Sequence, residues 1–228
     1  MSLKVKKARA MECRNGLFLK LFAVIKTKHF IMKYQVILAD PPWKITAGRS
    51  IGGYKMENGK QLFVSSNNKS RKLEYPTMSV EEIKKLNVKD ITAEDAHLYM
   101  WVTNSHIPFA FEIIKEWGFN YSTMIVWAKN MMGGGLGGAF KINTEYLIFA
   151  RKGSHKTTQT NKGTWFNIKR AYENGAPKHS KKPDFFYEMI EKTSPGKKLE
   201  MFARTERKGW DSWGNEIEND VEISFNSA

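Results

Sequence analysis

The sequence predicts an α/β fold in which a parallel-dominated sheet is covered by helices on both faces. Three observations carry this. Strand-like and helix-like stretches alternate along the chain. The strand-like stretches are apolar on both sides. The first of them stops abruptly at Asp40-Pro41-Pro42-Trp43. Alternation of this kind gives parallel strands joined by crossover helices. Ligands of such sheets sit beyond the carboxyl ends of the strands, and the tetrapeptide falls at one of those ends.

Each element has its own signal. Tyr34–Asp40, "YQVILAD", is a continuous apolar run and reads as a buried strand. From Lys44 to Glu74 the chain reads as one long loop with scattered Gly, Asn, Lys and Arg, leaving directly from the motif. Loops of that length are usually functional or disordered, and a substrate-gripping or lid role fits its position. Ser79-Val80-Glu81-Glu82 is a capping box that opens a helix to about Leu86. His97–Thr103 is a second strand. Pro108 suits a helix start, and "FAFEIIKEW" ends at Gly118. Ser122–Lys129 and Glu145–Arg151 are the third and fourth strands, separated by a glycine-rich flap, Met131–Phe140. Gly153–Trp165 is a polar, basic loop. Pro183 opens a helix, "DFFYEMIEKT", closed by Ser194-Pro195-Gly196, and Lys198–Arg204 is a fifth strand. The acidic, polar tail after it is expected to fray.

Composition narrows the function. The chain has 228 residues, 41% of them hydrophobic, which suits one domain with a sizeable core. The net charge is +14, so a polyanion is the natural partner. Residues 1–33 hold nine of the basic residues against Glu12 alone. Their apolar part is split by Lys20 and has no small-x-small cleavage site, so it is neither a signal peptide nor a spanning helix. It reads as a basic arm, an added element or a translated leader. The expected division is a basic extension or leader at 1–31, a catalytic domain at 32–217 and a tail at 218–228. Cys13 is the only cysteine, which excludes an internal disulfide and a cysteine-rich zinc site. His97, His106, His155 and His179 lack metal-ligand spacing, so no metal is expected.

The tetrapeptide suits one task. An exocyclic amine on a nucleobase is a poor nucleophile, because its lone pair is delocalised into the ring. Two acceptors on its N–H groups return density to nitrogen. Asp40 offers a side-chain acceptor and Pro41 a backbone carbonyl, with proline removing competing N–H donors. Trp43 offers a face on which an extruded base can stack. Taken alone, the same residues fit a strand-ending turn equally well.

Further motifs occur in order: "YPTMSVEEI", "MWVTN", "IVWAKN", "SKKPDFFYEMIE" and "KLEMFAR…GWDSWGNE". With "VILADPPW" they make the chain closely resemble, from about Tyr34 to Glu216, the adenine N(6)-methyltransferases typified by the catalytic subunit of the eukaryotic messenger-RNA adenosine methyltransferase. The resemblance implies a Rossmann-like methyltransferase with a mixed, mostly parallel sheet and permuted motif order. It implies S-adenosyl-L-methionine as cofactor and a nucleic acid as substrate, DNA ahead of RNA, in the cytoplasm of a bacterial cell or phage-infected host. It leaves room for a homodimer or a hetero-partner, and implies no membrane. A non-catalytic nucleic-acid-binding subunit is the competing reading.

Carried over position by position, Asp40, Pro41, Pro42 and Trp43 are the implied catalytic loop. Asp40, Lys182, Phe202, Arg204, Asn215 and Glu216 are the implied cofactor contacts. Trp43, Tyr54, Lys55, Tyr75, Asn104, Lys129, Lys141 and Glu145 are the implied substrate contacts. Trp101 and Thr103 line the pocket floor, with Trp101 more readily a core residue. The chain departs from the family where relatives have Arg-x-x-His-Glu: here Lys141 and Thr144 replace the Arg and the His, and Glu145 is kept. The loop after Trp43 is also longer than in many relatives.

Overall fold

The computed structural model describes residues 33–44, 53–57, 60–64, 76–129, 140–161, 163–169, 172–173, 176–177 and 181–226, with backbone only for 53–57, 60–64, 172–173 and 176–177. The strands are β1 (Tyr34–Ala39), β2 (Gly53–Glu57), β3 (Lys60–Val64), β4 (Thr92–Val102), β5 (Asn120–Lys129), β6 (Thr144–Lys152), β7 (Trp165–Ile168), β8 (Tyr172–Glu173), β9 (Ala176–Pro177), β10 (Lys198–Met201) and β11 (Asp211–Trp213). The helices are α1 (Val80–Lys84), α2 (Val88–Ile91), α3 (Ile107–Glu116) and α4 (Asp184–Thr193), with a 3-10 turn at Asn104–His106.

The main sheet has seven strands in the order β11-β10-β1-β4-β6-β5-β7. β1 pairs in parallel with β10 and with β4, β10 with β11, and β5 with β7. Only β6 runs against its neighbours, β4 and β5. The sheet is therefore mixed and mostly parallel. Reversal of β6 brings its first residues to the same edge as the last residues of β1, β4, β5 and β10.

Both faces of β1 are buried, as its unbroken apolar run requires. Ile37 and Ala39 pack with α1, α2 and α3 through Ile83, Val88 and Ile113. Val36 and Leu38 pack on the other face with Phe186, Met189 and Ile190 of α4. α1 carries both halves of its capping box: Glu82 N–H donates to the Ser79 hydroxyl, and Ser79 N–H donates to the Glu82 carboxylate at 2.7 Å. α3 has Pro108 in its first turn and is followed by Gly118 at φ 84°, a conformation that favours glycine. Among the described residues no helix is long and apolar enough to cross a membrane.

Two expectations are corrected, and one strand is added. The stretch after Trp43 is not one structureless loop: β2 and β3 pair as an antiparallel hairpin, Glu57 opposite Lys60. The two residues between them in sequence, Asn58-Gly59, are the preferred two-residue hairpin connection. The polar loop before Trp165 leads into β7, an edge strand. The tail does not fray through residue 226. Asn87 N–H donates to the Ser224 carbonyl at 2.8 Å, Asn226 N–H donates to the Lys85 carbonyl at 2.7 Å, and Ile223 is buried.

Candidate active site

Asp40-Pro41-Pro42-Trp43 leaves the end of β1 as a tight turn. Trp43 N–H donates to the Pro41 carbonyl at 2.8 Å, closing a three-residue turn. Pro42 carbonyl accepts from Met78 N–H at 2.9 Å, and Lys44 N–H returns to the Met78 carbonyl at 3.1 Å. Two prolines in succession supply no N–H, so the turn is held by its carbonyls and by its exit. The Pro41 carbonyl has a second lone pair beyond the one taken by Trp43.

Trp43 departs from the expected open stacking face. It is 6% exposed. Its indole N–H donates to the Trp101 carbonyl at 3.2 Å, and its ring stacks on His106 with centroids 4.9 Å apart and planes 22° apart. An apolar ring that can bond its N–H inside the core is better buried than open to water. Little of the ring is left for a base.

The acid of the motif sits in a chain of alternating charges. Lys182 Nζ lies 2.6 Å from Asp40 Oδ2 and 3.6 Å from Glu145 Oε2. Lys129 pairs in turn with Glu145 Oε1. Register explains the grouping: Glu145 faces Trp127 across β5/β6, which places Lys129 diagonally beside it at the same sheet edge. Lys182 precedes α4, whose entry is set by Pro183. Its ammonium lies 5.3 Å from the Trp101 ring centroid. Burial is the largest influence and disfavours its charge, but Asp40 and Glu145 together outweigh it and raise its proton affinity above the ordinary lysine value. Lys182 is thus protonated at neutral pH.

Two cavities open on this cluster. The first, about 300 Å³, is lined by Asp40, Lys182, Tyr187, Glu200, Phe202 and Arg204 among others. The second, about 210 Å³, is lined by the whole Asp40–Trp43 turn, Trp101, Thr103 and Glu145. Asp40, Lys182 and Arg204 belong to both. They form the junction.

Sequence reasoning missed Glu200 and Tyr187. Tyr187 donates its hydroxyl proton to Glu200 Oε1 at 2.5 Å. Burial first, and the negative charge of Asp40 second, push the Glu200 carboxyl above the usual carboxylate range, while the Tyr187 bond pulls it back. The same burial, with Glu200 beside it, drives the Tyr187 phenol far up. The signal was in the sequence. Glu200 is an acid between buried Leu199 and Met201 on a strand paired with β1, opposite Leu38. Such a residue needs a ligand or partner. Phe202, beyond it, has φ 64°, rare for a non-glycine residue. The chain turns there, at the wall of the first cavity.

The remaining expected residues are spread more widely. Glu216 comes within 4.0 Å of Arg204. Asn215 is exposed and lines neither cavity. Gly214 before it passes so close to the chain just after β10 that a Cβ would lie 2.0 Å from the Ala203 carbonyl oxygen. Asn104 and Lys141 are exposed. Tyr54 and Lys55 fall on β2, where the backbone alone is described. Tyr75, the flap residues 130–139, residues 1–32 and His179 lie outside the described residues. Trp101 is a core residue, ringed by Trp127 and Phe186, that also borders the second cavity.

A model of the MT-A70 family matches residues 34–216. The chain is 34% identical over 203 residues to the type II methyltransferase M.MunI of a Mycoplasma species, an alignment covering 84% of this chain and 81% of that protein. It is 27% identical over 195 residues to the human N(6)-adenosine-methyltransferase catalytic subunit METTL3, covering 82% of this chain and 28% of that protein. The Drosophila melanogaster N(6)-adenosine-methyltransferase MT-A70-like protein is 28% identical over 195 residues, which is 82% of this chain and 27% of its own length. The chain therefore spans most of the Mycoplasma relative but about a quarter of the animal ones.

Proposed function

The chain belongs to the MT-A70 family of S-adenosylmethionine-dependent methyltransferases, and from that premise we propose that it methylates the exocyclic 6-amino group of adenine in DNA. The observation that carries the proposal is the junction: two separate cavities meet at Asp40 and Lys182.

The residues of the first cavity fit the cofactor. When bound, S-adenosylmethionine supplies an electrophilic methyl group on a positively charged sulfur that leaves as a neutral thioether. Its cationic half matches the carboxylates of Asp40 and Glu200, and its own carboxylate matches Arg204 and Lys182. Phe202 gives an aromatic wall. Outside the lining of that cavity, Glu216, 4.0 Å from Arg204, and Asn215 beside it are the proposed acceptors for the ribose hydroxyls.

The second cavity would take the base. Lys182 binds Asp40 Oδ2 and leaves Oδ1 to accept one amine N–H. The free lone pair of the Pro41 carbonyl accepts the other. Both acceptors are fixed beforehand, so they stabilise charge developing on nitrogen without reorganising. Asp40 holds the departing amine proton. Glu145, anchored by Lys129, completes the wall and braces Lys182 from the side opposite Asp40 in the charge chain. The base is taken out of its helix to reach this depth. Tyr54, Lys55, Tyr75, Asn104 and Lys141 are the proposed contacts to the polymer. The catalytic domain is taken as 32–217.

DNA is preferred because similarity extends along most of the type II methyltransferase, while the N(6)-adenosine-methyltransferases are matched over a small part of their length. Incubation with methyl-labelled S-adenosylmethionine and duplex DNA, single-stranded DNA or RNA, then digestion to nucleosides, tests it. The expected product is N(6)-methyldeoxyadenosine from DNA, absent with Asp40→Ala. Label in RNA alone would replace the DNA reading, and label on cytosine would overturn the adenine reading.

A further inference from the structure

His106 belongs to neither cavity, yet it touches the catalytic turn at two points. Its ring lies on Trp43 (4.9 Å, 22°), and its Nε2 faces the Lys44 carbonyl at 3.3 Å. Its Nδ1 faces the Thr103 hydroxyl at 2.7 Å and the Ser105 hydroxyl at 3.1 Å. A carbonyl only accepts, so Nε2 carries the proton and donates to Lys44. Nδ1 then accepts from a hydroxyl of the 3-10 turn. This fixes one neutral tautomer, and burial, only partly offset by the Lys44 bond, holds the proton affinity below the usual histidine value.

We propose that His106 is a positioning residue for methyl transfer, clamping the exit of the Asp40–Trp43 turn so that the Pro41 carbonyl and Asp40 keep their working geometry. The proposal rests on that turn being the catalytic loop. The Pro41 carbonyl is aimed by its bond from Trp43 N–H. The Trp43 indole is fixed at its N–H by Trp101 of β4 and on its face by His106. Loss of the imidazole frees the face of the indole and the carbonyl of the next residue together. A displacement of about 1 Å at such a turn is enough to cost on the order of 10²-fold in rate.

The test measures turnover on duplex DNA, S-adenosylmethionine affinity by calorimetry, and imidazole ¹⁵N shifts. His106→Ala is expected to lower kcat by about 10–100-fold while the cofactor Kd moves by less than about threefold. His106→Phe, which keeps a ring on Trp43, and His106→Gln, which keeps a donor for Lys44, are expected to recover part of the loss. The ¹⁵N spectrum of the unliganded protein at pH 7 is expected to place the proton of His106 on Nε2. A kcat within about threefold of wild type in His106→Ala, a parallel loss of cofactor binding in all three variants, or a proton on Nδ1 would each overturn the proposal. Asp40→Ala run alongside separates the two ideas. Full activity in it sinks the catalytic-loop reading, whereas its inactivity beside a normal His106→Ala sinks only the role of His106.

Discussion

Strand β4 carries one buried polar cluster at its middle and leads to another past its end, and the two are built differently. At the middle, the His97 ring is fully buried and faces the Ser194 hydroxyl through Nδ1 at 2.7 Å and the His155 carbonyl through Nε2 at 3.0 Å. The Tyr99 hydroxyl joins the same Ser194 oxygen at 2.8 Å. His97, Ser194 and Tyr99 are neutral, and each has a protein partner. Past the end of the strand, Asp40, Lys182, Glu145 and Lys129 form a chain of ion pairs that opens into two cavities. The Trp101 indole N–H, on the strand itself, is buried without a hydrogen-bond partner. A satisfied neutral network adds stability. Buried charges, being costly to desolvate, are poor stabilisers, and their retention at a cavity junction fits chemistry. One cluster is finished within the protein, and the other opens onto two cavities.

Substitutions can break that contrast. The largest effect is expected from Lys182→Met, which leaves Asp40 and Glu145 without the ammonium between them. Methylation should fall by at least about 10²-fold, read as single-turnover rate; a drop of less than about tenfold would remove Lys182 from the mechanism. Ser194→Ala should do the opposite, costing about 1–3 kcal/mol in urea unfolding while leaving kcat per folded molecule unchanged. Loss of activity there at constant stability would erase the distinction between the clusters.

Acid should act on the neutral cluster in a defined window. Burial, then the adjoining His155 and Arg151, hold His97 down to about 4, despite the His155 carbonyl. The unfolded chain takes up that proton near the ordinary value of about 6.5. Unfolded molecules therefore bind more protons between those values, and the contribution of His97 is lost as pH falls from about 6.5 to about 4. Thermal melts across that range should fall more steeply for wild type than for His97→Gln; equal slopes would contradict the assignment. The smallest effect concerns Glu200. Its carboxyl takes up a proton at higher pH than usual, and a protonated acid no longer attracts a cationic ligand. Cofactor affinity should weaken on acidification by at most about tenfold per pH unit, with the slope reduced in Glu200→Gln. An identical slope in that variant would take Glu200 out of cofactor binding.

Much of this was legible before any coordinates. β1, α1, α3, β5, β6 and α4 announce themselves by apolar runs, a capping box, or flanking Pro and Gly, because those signals are local. The family resemblance named Asp40, Lys182, Glu145 and Lys129, and these side chains lie together. What was not legible depends on pairing. Nothing in Glu145–Arg151 says that its strand runs backwards, since an apolar strand looks the same in either direction. The first residues of β4 include exposed Glu94 and Asp95 and form no apolar run, so the predicted strand begins only at His97. Trp43 looked like an open ring because its partners, His106 and the Trp101 carbonyl, are distant in sequence. Asn58-Gly59 was a hairpin signal in plain view.

The most direct test is Asp40→Asn, which keeps the shape of the side chain and removes its charge. Single-turnover methylation at saturating S-adenosylmethionine, with cofactor Kd measured separately, divides transfer from binding. The account predicts a rate loss of about 10²–10³-fold, larger than any change in Kd, because Asp40 acts on the amine at the junction of the two cavities. A rate within about threefold of wild type would contradict it and move the chemistry away from this turn.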